Sequence, residues 1–423
     1  MWRWWRRSAS MLVVSCLLML GASSVQAAKV KITWMTTMWK VNEPLHLQII
    51  DEFNGSQDRI EVTMEPIASN DAEAETILLR IAAGTPPDMV DFHPRYFYPF
   101  VRNGVLVDIE PFLKEDKRFG LDDFFPAVLE SMRVGGTLYG LPQRISVYHL
   151  YYNIDQFDGA GVAVPSPSWS DARWNWEAYR QAAGKLTKDA DGDGVYERVG
   201  ASIGGIVEQL LPWIWQGGAS LFDRDYQTLT LDSAEGIGTL DYLAEGLRAG
   251  VFRQEGWQGF QAGNAAMHLN IPTVMTTYLQ TTIFRWDLAA LPRGSAGAAT
   301  VIQPIPYGLV ANSKHLPEAA EFFRFFFSRD ISRRQSENGI VMQPRRSVTA
   351  SSAFMPNPPP HNKISLLEAL EYARPVPSHN LKFPDITSVI VRTLSQVWTG
   401  KADSRTAVAS MKQQVNALLA EGR

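Results

Sequence analysis

The chain has 423 residues, 40 basic against 44 acidic side chains, 45% hydrophobic residues and a single cysteine. That length supports two domains with cores of their own, and one cysteine excludes an internal disulfide framework. A net charge of -4 leaves no basic footprint for nucleic acid or an anionic membrane surface.

Arg3, Arg6 and Arg7 precede an apolar run from Met11 to Leu20 and the small-residue stretch Val25-Gln26-Ala27, the pattern of a cleavable secretion signal over residues 1–27. The run is shorter than the ~20 apolar residues that span a bilayer. Cys16 lies inside it after Val13-Val14-Ser15, which faintly resembles a lipoprotein cleavage box, so lipid anchoring through Cys16 is the alternative to release near Ala28. Cleavage after Ala27 leaves 37 basic against 44 acidic residues, a net of -7, and no cysteine. An exported, mildly acidic protein without disulfides must hold itself by its core, and its ligand should be small and not strongly charged.

Val30, Ile32 and Trp34 alternate with Lys31 and Thr33, the period of a strand with one buried face, and Ile60, Val62 and Met64 repeat the pattern. Ala74, Ile77, Leu78, Ile81 and Ala82 fall at helical spacing and stop at Gly84, and Met89-Val90 reads as a buried strand. Alternating strand and helix implies an α/β lobe with binding loops at the carboxyl ends of its strands. Gly135-Gly136 supplies the positive φ angles of a hairpin turn, and Leu138 to Pro142 reads as a short strand ended by its proline. The chain then runs extended from Val147 to Tyr152. Beyond residue 150 the clearest helices are Trp176 to Leu186, Ala234 to Ala249 and Pro317 to Phe327, the last with Phe322, Phe323, Phe326 and Phe327 on one core face. Pro356 to Pro360 reads as a surface connection.

Four segments carry a resemblance. Gly135 to Gly200, with the Gly135 to Pro142 turn and strand, Tyr151 to Phe157, Trp174, Trp176 and the acidic loop Asp189 to Gly194 in that order, is similar to the region of the first crossing between lobes in the bacterial family 1 extracellular solute-binding proteins, the sugar-binding subunits of ABC importers related to maltose-binding protein. Phe260 to Met267 resembles that family's F-x-x-G-x-A-A-M segment, Ala289 to Pro292 the strand that follows in the first lobe, and Asn312 to Glu321 its S-K-x-x-E-A-A helix start. The resemblance implies an α/β, two-lobed periplasmic binding protein fold of type II, each lobe a mixed sheet flanked by helices, with three hinge crossings near 144–146, 268–270 and 314–316. It implies a first lobe of residues 28–143 plus 271–313 and a second of 147–267 plus 317–423. It further implies a periplasmic monomer that captures a carbohydrate, closes on it and presents it to an ABC permease with its cytoplasmic ATPase, with no cofactor and no catalysis.

A sugar has flat apolar faces edged with hydroxyls, so a site for it needs rings to stack on and planar polar groups in the hydroxyl plane. Three loops concentrate such residues: Trp39, Asn42 and Glu43; then Phe92, His93, Arg95 and Tyr96, where the resembled family places sugar contacts; then Glu208, Gln209, Trp213 and Trp215. Arg144, with Gln143 and Ser146, lines the first crossing, Tyr307 is a candidate to face the cleft, and later loops add His379, Asn380 and Asp385. Each has a plainer reading: Trp213, Trp215 and Trp34 as core, His93 and Arg95 as solvated loop, Arg345-Arg346 as anchors for a surface carboxylate. The chain departs from the maltose-binding pattern at Thr273 and at Thr387-Ser388, where aromatic platforms are expected, so its solute sits differently or is smaller than a linear maltodextrin.

Asp189, Asp191 and Asp193, with Gly194, match the opening of a calcium loop, but the twelfth position, where a bidentate glutamate is required, is Gly200. Seven scattered histidines, no P-loop and no serine-nucleophile motif leave a two-carboxylate glycosidase as the rival from another class. Within the family, a polyamine or a phosphorylated polyol would demand an acidic box or a basic cluster, and neither stands out.

Overall fold

Alternation puts Ile32 and Trp34 into the first-lobe core, 1% and 0% exposed, while Lys31 and Thr33 face outward. The structure is a computed structural model and describes residues 28–37, 43–68, 72–189, 191–337, 342–351, 354–355 and 360–422. The secretion signal, Cys16, Trp39, Asn42 and most of the Pro-rich loop lie outside the described residues, as does the side chain of Glu43.

The strands in chain order are β1 (Val30–Thr36), β2 (Ile60–Pro66), β3 (Met89–Asp91), β4 (Arg133–Val134), β5 (Thr137–Leu138), β6 (Leu141–Val147), β7 (His149–Asn153), β8 (Val199–Ile203), β9 (Phe252–Gln254), β10 (Ala265–Asn270), β11 (Trp286–Ala289), β12 (Thr300–Leu309) and β13 (Ala373–Pro375). One sheet runs β13-β12-β3-β1-β2, with β6 also on β12; β1 lies parallel to β2 and β3, and β12 closes antiparallel onto β3. A second sheet runs β11-β7-β10-β8-β9, with β7 antiparallel to both its neighbours. Helices flank both sheets, which makes the fold a two-lobed α/β architecture of mixed sheets. Gly135 and Gly136, at φ 59° and 85°, form the turn between β4 and β5.

Two separate hydrophobic cores define the lobes, and they redraw the expected boundaries. Leu141 belongs to the first core but Ile145 and Val147 to the second; on the partner strand, Tyr307 and Leu309 belong to the first but Val301 and Ile302 to the second. The antiparallel pair β6 and β12 is therefore the ribbon that joins the lobes, with its register broken between Pro304 and Pro306. Pro142 lies inside β6 opposite Pro306 rather than ending a strand, because both residues sit where the ladder is irregular.

The crossings expected at 268–270 and 314–316 are corrected. His268 to Asn270 pair with β7 within the second sheet, and Met275, Tyr278, Trp286 and Leu288 stay in the second core, so residues 271–289 do not return to the first lobe. Ala289, expected in a first-lobe strand, pairs with Leu150 of β7. The helix Leu316–Phe326 packs its phenylalanines into the first core, so the chain enters the first lobe along β12; Met342 touches the second core, Arg345 and Ser347 still bond the first lobe, and the chain is back in the second core at Phe354. The motifs were legible, but their lobe was not, because an apolar face does not name the sheet it covers.

Candidate functional site

The sheet edge beneath the site is polar yet buried. Asp91, the last residue of β3, is 3% exposed and accepts hydrogen bonds from Trp34 Nε1 at 2.9 Å and from the Thr37 amide and Oγ1 at 3.1 and 2.8 Å. Burial outweighs these bonds and raises its carboxyl above the ordinary range. Arg144, on β6, is 8% exposed; burial lowers it, while Tyr307 and Asp91 pull it back toward the charged form. His46, on the helix Glu43–Ser56, packs 5.0 Å from Trp34, and neither ring nitrogen has a partner among the described residues. Burial, with Arg144 nearby, takes its imidazole down to about 4.

Immediately after β3 the chain makes a tight turn. The His93 amide donates to Glu73 Oε1 at 2.5 Å, His93 Nδ1 accepts from the Arg95 amide at 3.3 Å, and the Tyr96 amide donates to the His93 carbonyl at 3.0 Å. Pro94 at the first position presets the turn's φ. The turn holds His93, Arg95 and Tyr96 on one wall of a cleft of about 710 Å³, with the Arg95 guanidinium 5.2 Å from the Tyr96 ring centre. Across the cleft stand Ile206, Val207 and Glu208 at the start of the helix Val207–Gln216, and Asp385, Thr387, Ser388 and Arg392 on the helix Phe383–Trp398. Desolvation raises the Glu208 carboxyl, and the Arg95 charge on the opposite wall opposes that shift.

The structure thus brings together His93, Arg95, Tyr96, Glu208 and Asp385 of the expected residues. The other described candidates go elsewhere. Phe92 is fully buried against Phe100, at 4.7 Å between ring centres. Tyr307 is 4% exposed and packs on Trp34 and Phe326 in the first core, because its position on β12 opposite Asp91 turns the ring away from the cleft. Trp213 lies in a ring cluster with Trp176, Tyr179 and Tyr242, and Trp215 is 7% exposed beneath the Arg374 guanidinium. Both tryptophans are second-lobe core because a helix buried nearly all round leaves them no outward face. Gln209 Nε2 donates to the Leu269 carbonyl at 3.0 Å, a bond within the second lobe. Asn380 is buried and bonds Leu419, whereas Asp385 faces the cleft. Arg144 is set back under the cleft, at the ribbon. Sequence reasoning missed the contribution of Arg392, Thr387 and Ser388; the last two stand where an aromatic pair was sought, and their spacing on a helix that follows Pro384 was the available signal.

Asp189, Asp191, Asp193 and Glu197 each offer an oxygen within 4.8 Å of the others. Three of these carboxylates already accept backbone amides: Asp189 from Gly192 and Gly194, Asp191 from Asp193, and Asp193 from Val195. A side chain at Gly200 would overlap the Ala183 carbonyl, which explains why the twelfth position carries no glutamate.

Two lobes joined by a narrow ribbon, with a polar cleft lined from both, define a protein that encloses a solute. The chain matches the bacterial extracellular solute-binding protein family over residues 44–331 and belongs to it. That is a family of exported binding proteins rather than enzymes. The chain is 22% identical to a putative binding protein of Brucella abortus over 94% of this chain and 95% of that one. It is 24% identical to the arabinooligosaccharide-binding protein of Bacillus subtilis over 68% of each. Its fold superposes with a TM-score of 0.79 on an ABC substrate-binding protein of Listeria monocytogenes in complex with cycloalternan, at 21% identity, covering 93% of this chain and 99% of that one. Among the described residues no helix is long and apolar enough to cross a membrane.

Proposed function

We propose that this chain is the substrate-binding subunit of an ABC importer, capturing a sugar or oligosaccharide in the interlobe cleft and delivering it to a membrane permease driven by a cytoplasmic ATPase. The observation that carries the reading is the chemistry of the cleft: Tyr96 offers a ring, and Arg95, His93, Glu208, Asp385, Thr387 and Ser388 offer donors and acceptors from both walls. Oligosaccharide ligands of the Bacillus subtilis and Listeria monocytogenes proteins support it. The mixed charge of the cleft speaks against a polyamine or a phosphorylated polyol, each of which would need charges of one sign. Arg95 and Glu208 stand on opposite lobes, so one solute touching both favours the closed state by its differential affinity. The ribbon of β6 and β12 then acts as the hinge. The protein works in the periplasm as a monomer after removal of residues 1–27. A thermal-shift screen against neutral mono- and oligosaccharides tests this: a sugar at a hundred times its dissociation constant adds about 2.7 kcal/mol of stability. A panel-wide absence of shift, with polyamines or glycerol phosphates shifting instead, would replace the sugar in this account.

A further inference from the structure

Glu73 is the first residue of the helix Glu73–Ala82, yet it is 1% exposed and its carboxylate points at the turn after β3. Its Oε1 receives the His93 amide, and that same residue's ring receives the Arg95 amide. Thus one buried carboxyl fixes the first peptide of the turn, and the turn's own side chain fixes the second. We propose that Glu73 positions the Arg95–Tyr96 wall of the cleft for solute, acting through the His93 amide without touching the solute itself. The proposal rests on the cleft being the binding site, as argued above.

The buried surroundings make this positioning sensitive to protons. Asp91 faces Glu73 from β3, and His93 and Arg95 face it from the turn. Desolvation raises the Glu73 carboxyl to about 7 and Asp91 adds to the rise, while the His93 amide and Arg95 oppose it. A carboxyl held above its unfolded value stabilises the fold at acid pH, and that contribution is lost as pH rises through about 7. A glutamine keeps an acceptor oxygen for the His93 amide but cannot ionise, so it separates positioning from titration.

The test compares the mature protein with Glu73→Gln and Glu73→Ala, without solute, by hydrogen exchange of the segment 92–97 corrected for intrinsic rates, and by melting temperature across pH. Losing one hydrogen bond should speed exchange of this segment about tenfold in the Ala variant, with wild-type protection in the Gln variant. Between about pH 5 and pH 8 the Gln variant should gain about 2 °C or more on wild type. Equal protection in all three proteins, or a melting difference that does not move with pH, would overturn the proposal. If the Ala variant does not fold, Glu73→Ser, whose short side chain withdraws the acceptor from the His93 amide, takes its place in the exchange and binding measurements. With any maltose-, arabinose- or mannose-series oligosaccharide that binds wild type, the Ala variant should bind about tenfold more weakly and the Gln variant normally at about pH 6. Binding unchanged in Ala would overturn the positioning role. If none of these sugars binds wild type, the sugar reading fails, and the exchange and melting results still decide the role of Glu73.

Discussion

Tyr98 of the first lobe meets His379 of the second edge-on, with 5.6 Å between ring centres, and Tyr226 lies 4.8 Å from the same imidazole. Tyr226 holds a φ of 54°, the left-handed region that a non-glycine residue adopts at a cost, so second-lobe backbone strain accompanies the contact. Burial lowers the His379 pKa and favours the neutral ring, which stacks without a charge to desolvate. The three rings join side chains of the two lobes outside the β6 and β12 ladder.

Removing that tie should loosen the contact between the lobes. Aromatic pairs contribute about 0.5 to 1.5 kcal/mol beyond area burial, so Tyr98→Ala should shift the solute-free population toward open by roughly two- to tenfold. Small-angle scattering of the solute-free protein reads this as a larger radius of gyration. An unchanged radius in a folded Tyr98→Ala protein would show that the ring contact does not bias the lobes.

Arg95 tests the wall opposite Glu208. If its guanidinium hydrogen-bonds the solute, Arg95→Ala should cost about 1.5 to 3 kcal/mol of affinity, the range for bonds to charged groups. Its partly exposed position predicts a nearly unchanged melting temperature. Wild-type affinity in calorimetric titration of Arg95→Ala would remove Arg95 from the site.

Arg345 is a structural counterpart. Expected to anchor a surface carboxylate, it is instead 1% exposed, with Nε and both terminal nitrogens on the carbonyls of Phe327, Gly120 and Phe119. Its guanidinium lies 4.4 Å from the Phe124 ring centre, and Asp123 supplies the countercharge at 3.4 Å. Burial lowers its pKa to about 10 despite that carboxylate. Arg345→Ala should cost about 3 to 5 kcal/mol, since it strands buried carbonyls and a partly buried acid. Arg345→Lys should recover little, because an ammonium lacks the planar fork. A loss below about 1 kcal/mol in denaturant unfolding would contradict this.

Three buried histidines should contribute to the loss of stability in acid. His46 and His149 are lowered by burial to about 4, and His268 to about 3. The unfolded chain takes up these protons below about 6.5 while the folded one does not, so stability present above that pH is lost as pH falls toward 4. His149→Gln should flatten the decline if the variant folds, because Nε2 lies 3.0 Å from the Ser365 carbonyl and an amide nitrogen can donate there. Equal slopes for wild type and variant between pH 6.5 and 4, in chemical unfolding, would show that His149 does not carry the effect.

The sequence yielded local structure far better than lobe assignment. Val30 to Trp34, Ile60 to Met64 and Gly135-Gly136 fold as their period and turn chemistry dictate, since those signals are local. The phenylalanines from Phe322 to Phe327 were legible as core but not as first-lobe core, because hydrophobic spacing fixes a buried face and leaves its partner open. At the candidate cleft, the place of His93, Arg95 and Tyr96 in a loop after a strand was legible, whereas Trp213, left open between core and platform, and Tyr307, read as a cleft candidate, pack in the cores, because an aromatic ring serves core and platform equally well. Glu73 and Tyr98 gave no signal at all: an acid at a helix start and a tyrosine beside a proline are ordinary surface residues until the turn and the opposite lobe come together around them.

The central claim is that the two lobes close on a sugar held between Arg95 and Glu208. Isothermal titration of the mature protein with maltose-, arabinose- and mannose-series oligosaccharides, followed by scattering of the saturated complex and recovery of the ligand, tests it most directly. The account predicts saturable binding of at least one of these sugars at one per chain, a smaller radius of gyration on saturation, and the sugar returned intact. Saturation with no change in radius, a hydrolysed sugar, or a folded protein that binds none of them would contradict it.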